Sequence, residues 1–225
     1  MTDAEKQALK DEILRERGYW ARFHDVLLER SPEFLKAYIA FQAAPSRSGI
    51  LPRKLCEFVY VAIDISVNHM YDRGGRRHMG HALDHGATAD ELLQVVLLTA
   101  VVSGRQPIDT GLDILADELG TPEADIRGSV PVLQQGYEAY GNAVWDDGPL
   151  SRKDKELIAL AICAAPTCLF ERGMRRHVRG ALDAGASPQE IAAILHLSAA
   201  ISVHTCTIGI PGLDDVLNNV RVESN

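Results

Sequence analysis

A motif written twice constrains this chain more than any other feature of its sequence. Glu171-Arg172-Gly173-Met174-Arg175-Arg176-His177 and the later Gly180-Ala181-Leu182-Asp183-Ala184-Gly185-Ala186 repeat Asp72-Arg73-Gly74-Gly75-Arg76-Arg77-His78 and His81-Ala82-Leu83-Asp84-His85-Gly86-Ala87. The offset is 177 − 78 = 99 residues, and it holds well outside the motif without a gap. Leu51, Arg53, Lys54 and Glu57 match Leu150, Arg152, Lys153 and Glu156. Glu91, Leu98 and Ser103 match Glu190, Leu197 and Ser202, and upstream Pro32 and Tyr38 match Pro131 and Tyr137. A self-similarity this long means one structural unit used twice.

Helical periodicity runs through both copies, and no stretch shows convincing period-two alternation, so the predicted fold is all-α. The expected organisation is an N-terminal helical extension over 1–31, a first helical repeat over 32–119 and a linker over 120–130. A second repeat over 131–215 and a tail over 216–225 complete it. Within the repeats, 45–49 reads as a loop by its turn chemistry, and Gly209-Ile210-Pro211-Gly212 as an interruption. Gly86 and Gly185 suit left-handed helix ends. Thr88 with Glu91, and Ser187 with Glu190, read as capping boxes. Ser103 ends a predicted core helix that starts at Leu92, and 106–118 closes the first repeat.

The 225 residues, 46% hydrophobic and 24% charged, describe an ordinary globular protein. A net charge of −8 argues against broad nucleic-acid binding. The start reads as a charged helical run rather than a signal peptide, and the apolar runs read as too short for a bilayer. Four cysteines without disulfide-like spacing point to a reducing cytoplasm.

Glu156 with His177, echoed by Glu57 with His78, is the best candidate for chemistry. Each Glu lies in an apolar helix and each His on the next one. Such a pair is either a proton-transfer device in an apolar pocket or a structural tie between two helices. Glu171 could face the pocket as a second acid or simply favour a helix N-terminus. Arg175 and Arg176 are candidates for clamping a substrate carboxylate, against the alternative of solvated or paired arginines. His204 and Cys168 are further candidates for lining a site, with packed helix ends and a small buried hydrophobe as the alternatives. His78, His81 and His85 fall at i, i+3 and i+7, but Gly180 and Ala184 stand at the last two positions in the other copy, so no metal is expected.

Taken together these residues resemble the carboxymuconolactone decarboxylase family, which includes alkylhydroperoxidase D-like proteins. Arg152-Lys153-Asp154-Lys155-Glu156-Leu157-Ile158 and the stretch from His177 to Gln189-Glu190-Ile191 carry the resemblance, with Arg53, Glu57 and His78 in the first copy. It covers roughly 32 to 215. The peroxidase branch has a Cys-x-x-Cys four residues before its His; here Gly173 and Gly74 stand at that place. Cys168 and Glu171 keep the motif's spacing with only one thiol.

The resemblance implies a fold of two tandem helical repeats and cofactor-free proton transfer on an unsaturated lactone acid or aromatic ring-cleavage product. In that picture His177 moves the proton, Glu156 orients it, and an arginine holds a small-molecule carboxylate. The polar groups that the second copy adds near its pair, Glu171, His204 and Cys206, against Asp72 and Pro107 in the first, lead to the expectation that the second copy dominates catalysis and that Glu57 and His78 are partly structural. Single-module relatives form hexamers, so the tandem chain is expected as a homotrimer, without nucleic-acid or membrane partners. Two alternatives stay open: a residual redox protein using Cys168 or Cys206, and a non-catalytic helical assembly or ligand-binding protein.

Overall fold

In the computed structural model, which describes residues 1–223, every regular element is a helix. In chain order these are α1 (Asp3–Arg17), α2 (Arg22–Arg30), α3 (Pro32–Ser48), α4 (Arg53–Ile65), α5 (Asp72–Asp84) and α6 (Ala89–Leu119). Then come α7 (Glu123–Ser129), α8 (Pro131–Trp145), α9 (Arg152–Ala164), α10 (Glu171–Asp183) and α11 (Pro188–Ala200). A 3-10 turn over Ile201–Val203 leads into α12 (His204–Glu223). The chain divides into two compact units: residues up to Ser48 with those from Ala200 onward, and Gly49–Ala199.

The terminal unit is organised by an apolar cluster. Thr2 and Glu5 form a capping box that starts α1, and Gly18, at φ 69°, ends it in the left-handed conformation. Leu9 and Ile13 from α1 meet Phe23, Leu27 and Leu28 from α2 and Leu35 from α3. Cys206 and Ile210 of α12 pack at the margin of this cluster, and Arg22 bonds both Asp214 and Asp215.

Three helix breaks expected from the sequence are absent here. Helix α3 runs on through Pro45, where the Ser46 and Ser48 hydroxyls donate to the carbonyls of Ala43 and Pro45. These local side-chain bonds add to the backbone ladder in the last turn of the helix. Helix α6 likewise continues through Pro107, anchored by buried Val95, Leu98, Val101 and Val102. Helix α12 passes through Gly209–Gly212 because packing of Ile210 outweighs local propensity. The stretch 120–130, expected as a linker, carries α7, and the expected tail is helical to Glu223; its last two residues lie outside the described part. Because these helices continue, Pro188–Asn218 is long and apolar enough to cross a membrane by length and composition. Its first half nevertheless buries Ile191, Ile194 and Leu197, as a core helix does.

The central unit carries the duplication. Helices α4 and α9 are buried on nearly every side and pack against each other, each also against its own partner, α5 or α10. Helix α6 packs on both α4 and α9. Equivalent details recur 99 residues apart. Gly86 and Gly185 take φ of 81° and 86°, and Met70 and Leu169 share the left-handed region at 50° and 46°. Lys54 reaches Glu91, and Lys153 reaches Glu190, both at 2.8 Å. Asn68 Nδ2 donates to the carbonyl of Thr167, its own counterpart. A residue touching its equivalent is the signature of a two-fold relation between copies.

One buried group breaks the match. Asp64 of α4, fully buried, stands where α9 has Cys163. Burial pushes its carboxyl up to about 8, with Glu57 adding to the rise and Arg77 opposing it; His69 lies 3.8 Å away. The folded state therefore holds a proton that the unfolded chain releases near the ordinary Asp value. That contribution is present in acid and is lost as pH rises through about 8. Asp64→Asn should accordingly be more stable than the native chain at pH 9, by more than about 1 kcal/mol, and the gap should close toward pH 4. Denaturant unfolding across pH measures it; a gap constant with pH would refute the protonated assignment.

Candidate active site

A carboxylate inside an apolar helix must find partners. Glu156 sits mid-way along α9 and His177 mid-way along α10, each 3% exposed, with His177 Nδ1 2.7 Å from Glu156 Oε2. Glu57 and His78 make the same contact between α4 and α5 at 2.6 Å.

Around this shared pair the copies differ. In the second, Arg152 lies one helical turn before Glu156, and its Nε donates to Oε1 at 2.9 Å. The Arg152 guanidinium also covers the ring of Trp145, 4.7 Å from its centroid. Trp145 in turn stacks on His177, centroids 5.7 Å apart and planes at 13°. Glu156, His177, Trp145 and Arg152 thus close a ring of contacts. Gly180 completes it: a Cβ there would sit 2.5 Å from the Glu156 carboxyl carbon. In the first copy Tyr60 lies over His78 at 4.7 Å, and His81, the counterpart of Gly180, brings Nδ1 to 3.8 Å from Glu57 Oε2.

Trp145 is aimed by the end of α8. Buried Lys155 donates to the carbonyls of Val144, Trp145 and Asp147 at 3.0, 3.1 and 2.7 Å. Gln94 donates to Asp147 and accepts from Leu150 N. Gly148, at φ 107°, allows this approach, since a Cβ would meet the Gln94 amide. Position 155 corresponds to Cys56, and 94 to Ala193, so the device belongs to the second copy alone.

Burial pushes the His177 imidazole down; Glu156 resists this, while Arg176 and Arg105 add to it. Burial pushes Glu156 up, but His177 and Arg152 outweigh it and hold the carboxyl below the usual range. At neutral pH the pair is therefore an ionised carboxylate and a neutral imidazole. The shared proton belongs on Nδ1, and Nε2 keeps its lone pair, as a general base requires.

Beside the ring lies a cavity of about 310 Å³ whose walls include Arg105, Asp109, Tyr137, Trp145, Arg172 and Arg176. Asp109 is fully buried and gathers Arg176 at 2.8 Å, Arg105 at 3.1 Å and Arg127 at 3.0 Å. Burial raises its carboxyl, but Arg176 and Arg105 bring it below the ordinary value. Trp145 is the side chain shared between cavity and pair; Glu156 and His177 lie behind it.

Of the sequence candidates, Arg176 reaches this cavity. Glu171 and Arg175 do not: they form an exposed pair at i, i+4, a solvent-facing geometry that the helix period allowed. Cys168 is half-buried and donates to Gln106 at 3.2 Å; burial raises its pKa, away from a reactive thiolate. His204 opens α12 in the terminal unit, and Cys206 packs on that unit's cluster. Trp145, Arg105 and Asp109 were missed, since they come from α8 and the far half of α6. Arg152 carried a signal, the i, i+4 spacing to Glu156. Gly173 leaves no space for the absent second cysteine, because a Cβ would lie 2.4 Å from the Phe170 ring. Among the described residues of this unit, Glu57, His78 and His81 bring three possible metal-ligating atoms within 4.8 Å.

The model of the carboxymuconolactone decarboxylase family matches residues 32–117 and 131–203. Among solved structures, a candidate gamma-carboxymuconolactone decarboxylase subunit from Burkholderia xenovorans LB400 is similar at 27% identity and a TM-score of 0.86. That likeness covers 96% of this chain and 98% of the other. Comparison with curated proteins returns no match.

Two glycine variants test the ring. Glu156 cannot retreat from a Cβ at 180 without leaving His177 or Arg152, so Gly180→Ala should destabilise by about 1–3 kcal/mol. Gly80, on the matching helix, has nothing within 4 Å of its ideal Cβ. Gly80→Ala should be neutral or stabilising by up to about 1 kcal/mol. Thermal unfolding of both checks this, and equal midpoints would sink it.

Proposed function

We propose, since the chain belongs to the carboxymuconolactone decarboxylase family, that it is a cofactor-independent decarboxylase or related proton-transfer enzyme working through its second copy. The substrate class is a small carboxylated unsaturated lactone or aromatic ring-cleavage product. The observation that carries this is a neutral His177, oriented by ionised Glu156, one aromatic ring away from an arginine-walled cavity. Arg176 and Arg105 would hold a substrate carboxylate, shifting part of their charge from Asp109. Arg152 and Glu156 position the imidazole. Trp145 would swing aside to admit the reacting carbon.

In an isomerisation, Nε2 takes a proton from carbon and returns it to another position. In a decarboxylation, the carbon–carbon bond pair moves into the conjugated system as CO2 leaves, and an imidazolium supplies the proton that the new carbon–hydrogen bond needs. The pH profile separates the two. As a base, His177 gives a rate that rises with pH through a pKa below the ordinary His value. As an acid, it gives a rate that falls over the same range.

Burial of both Glu–His pairs favours a second reading, a non-catalytic helical assembly in which they only tie helices together. Screening unsaturated lactone and muconate-type acids for CO2 release and ultraviolet change distinguishes them. His177→Ala and Glu156→Ala should lower kcat by about 10²- to 10⁴-fold, while His78→Ala and Glu57→Ala mainly lower the thermal midpoint. The Cys168→Ser, Cys206→Ser double variant should keep most activity. Four variants that change only stability would leave the scaffold reading standing.

The solved relative is described as a subunit, which supports association of this chain too. Exposed Ile114, Leu119, Val132 and Leu133 supply apolar surface for it. Light scattering should give a homotrimer; a concentration-independent monomer would overturn that expectation. The free thiols suit the reducing cytoplasm as the place of action.

A further inference from the structure

We propose that Glu57, His78 and His81 form a binding site for a first-row divalent cation of the zinc class, a property of the first copy that the second has lost or never had. The site stands apart from the catalytic reading of the second copy and does not depend on it.

Three observations converge. One ligand atom from each residue lies within 4.8 Å of the other two, with Glu57 and His78 buried and His81 half-buried. Both histidines approach the same carboxylate oxygen: His78 Nδ1 lies 2.6 Å and His81 Nδ1 3.8 Å from Glu57 Oε2. A tetrahedral ion with ligands at about 2.0–2.2 Å holds them about 3.3 Å apart, so the two distances straddle the value an ion imposes. Small rotations would open the shorter contact and close the longer one. The donor set of two imidazoles and one carboxylate is one that zinc accepts, with its remaining position left for water or another ligand.

The comparison between copies supplies the third observation. In the second copy, Gly180 stands where the first has His81, and a Cβ there would press on the Glu156 carboxyl. Arg152 holds the free oxygen of that carboxylate instead; Arg53 stands at the same place before Glu57, so the difference between the copies lies at His81 and Gly180. The first copy thus has an imidazole where the second has packed carboxylate. Glu57 and His78 are 8% and 6% exposed, which shields the ion, while the His81 side chain is 27% exposed and opens a way in. The i, i+3 spacing on α5 fixes the two rings on one helical face, at right angles and 6.0 Å apart. On ion entry His78 coordinates through Nδ1 as a neutral imidazole with its proton on Nε2, and protons compete with the ion for both imidazoles and the carboxylate, so binding should weaken as pH falls.

Zinc chloride titrated calorimetrically into chelator-treated full-length protein tests this. The expected result is one saturable ion per chain. His81→Gly, which copies the second half's residue, should weaken it at least tenfold, and Glu57→Gln should do the same. His85→Ala, one turn further and exposed, should bind as the native chain does. Cobalt(II) in place of zinc should give visible ligand-field bands without a thiolate charge-transfer band. Absence of saturable binding, undiminished binding in His81→Gly and Glu57→Gln, or a thiolate band would each overturn the proposal. Circular dichroism confirms that each variant is folded before its titration is read.

Discussion

Glu156 and Glu57 each place a carboxylate inside a helix that is otherwise apolar on almost every face, and the central unit is arranged around satisfying them. A buried carboxylate left alone would cost several kcal/mol or stay protonated. An imidazole from the next helix meets each one at 2.6 or 2.7 Å, which fixes how α4 meets α5 and how α9 meets α10. Truncating one member strands the other, so such a pair is hard to lose even where it performs no chemistry. For that reason its survival in both copies says little about which copy works. What distinguishes them is the company each pair keeps.

That company was rebuilt without disturbing the frame. The lysine–glutamate ties, the glycine helix ends and the backbone bond from Tyr71 or Phe170 back to Asp64 or Cys163 all recur at the same offset. Changes fall on side chains that face the pairs. Gly180 admits the Glu156 carboxylate where His81 crowds Glu57, and Lys155 with Gln94 pins the end of α8 so that Trp145 lies on His177. Each such change works through one contact, whereas changing the frame would disturb both halves across the two-fold relation.

The frame was largely legible in the sequence because it rests on local rules. Gly86, Gly185, Thr88 and Ser187 announced their helix ends, and the repeat announced the Glu–His pairing. Expectation and structure part where distant packing overrides local chemistry. Pro45, Pro107 and Pro211 lie inside helices that turn chemistry would end, because flanking apolar residues hold the helix on. The cavity was illegible for the same reason. Arg105 and Asp109 sit on the second half of α6 and Trp145 at the end of α8, and no spacing along the chain joins them to His177. Glu171 and Arg175, candidates from their place in the motif, lie one helical turn apart and pair with each other at the surface, away from the cavity beside Trp145.

Asp109 shows how the cavity can be charged and still stable. The cavity is lined by Arg105, Arg127, Arg172 and Arg176 against Asp109, Glu123 and Glu138, an excess of one positive charge, with Arg105 and Arg176 held on the fully buried Asp109. The carboxylate holds the arginines in place before any ligand arrives, so less ordering is required on binding. The same excess lowers the basicity of His177, since Arg176 and Arg105 both disfavour an imidazolium beside them. An incoming carboxylate would offset that field and raise the imidazole's affinity for a proton. On the proposed function, binding of the negative group and proton uptake by His177 would thereby be coupled through Arg176, which touches the cavity and adjoins His177 in the chain.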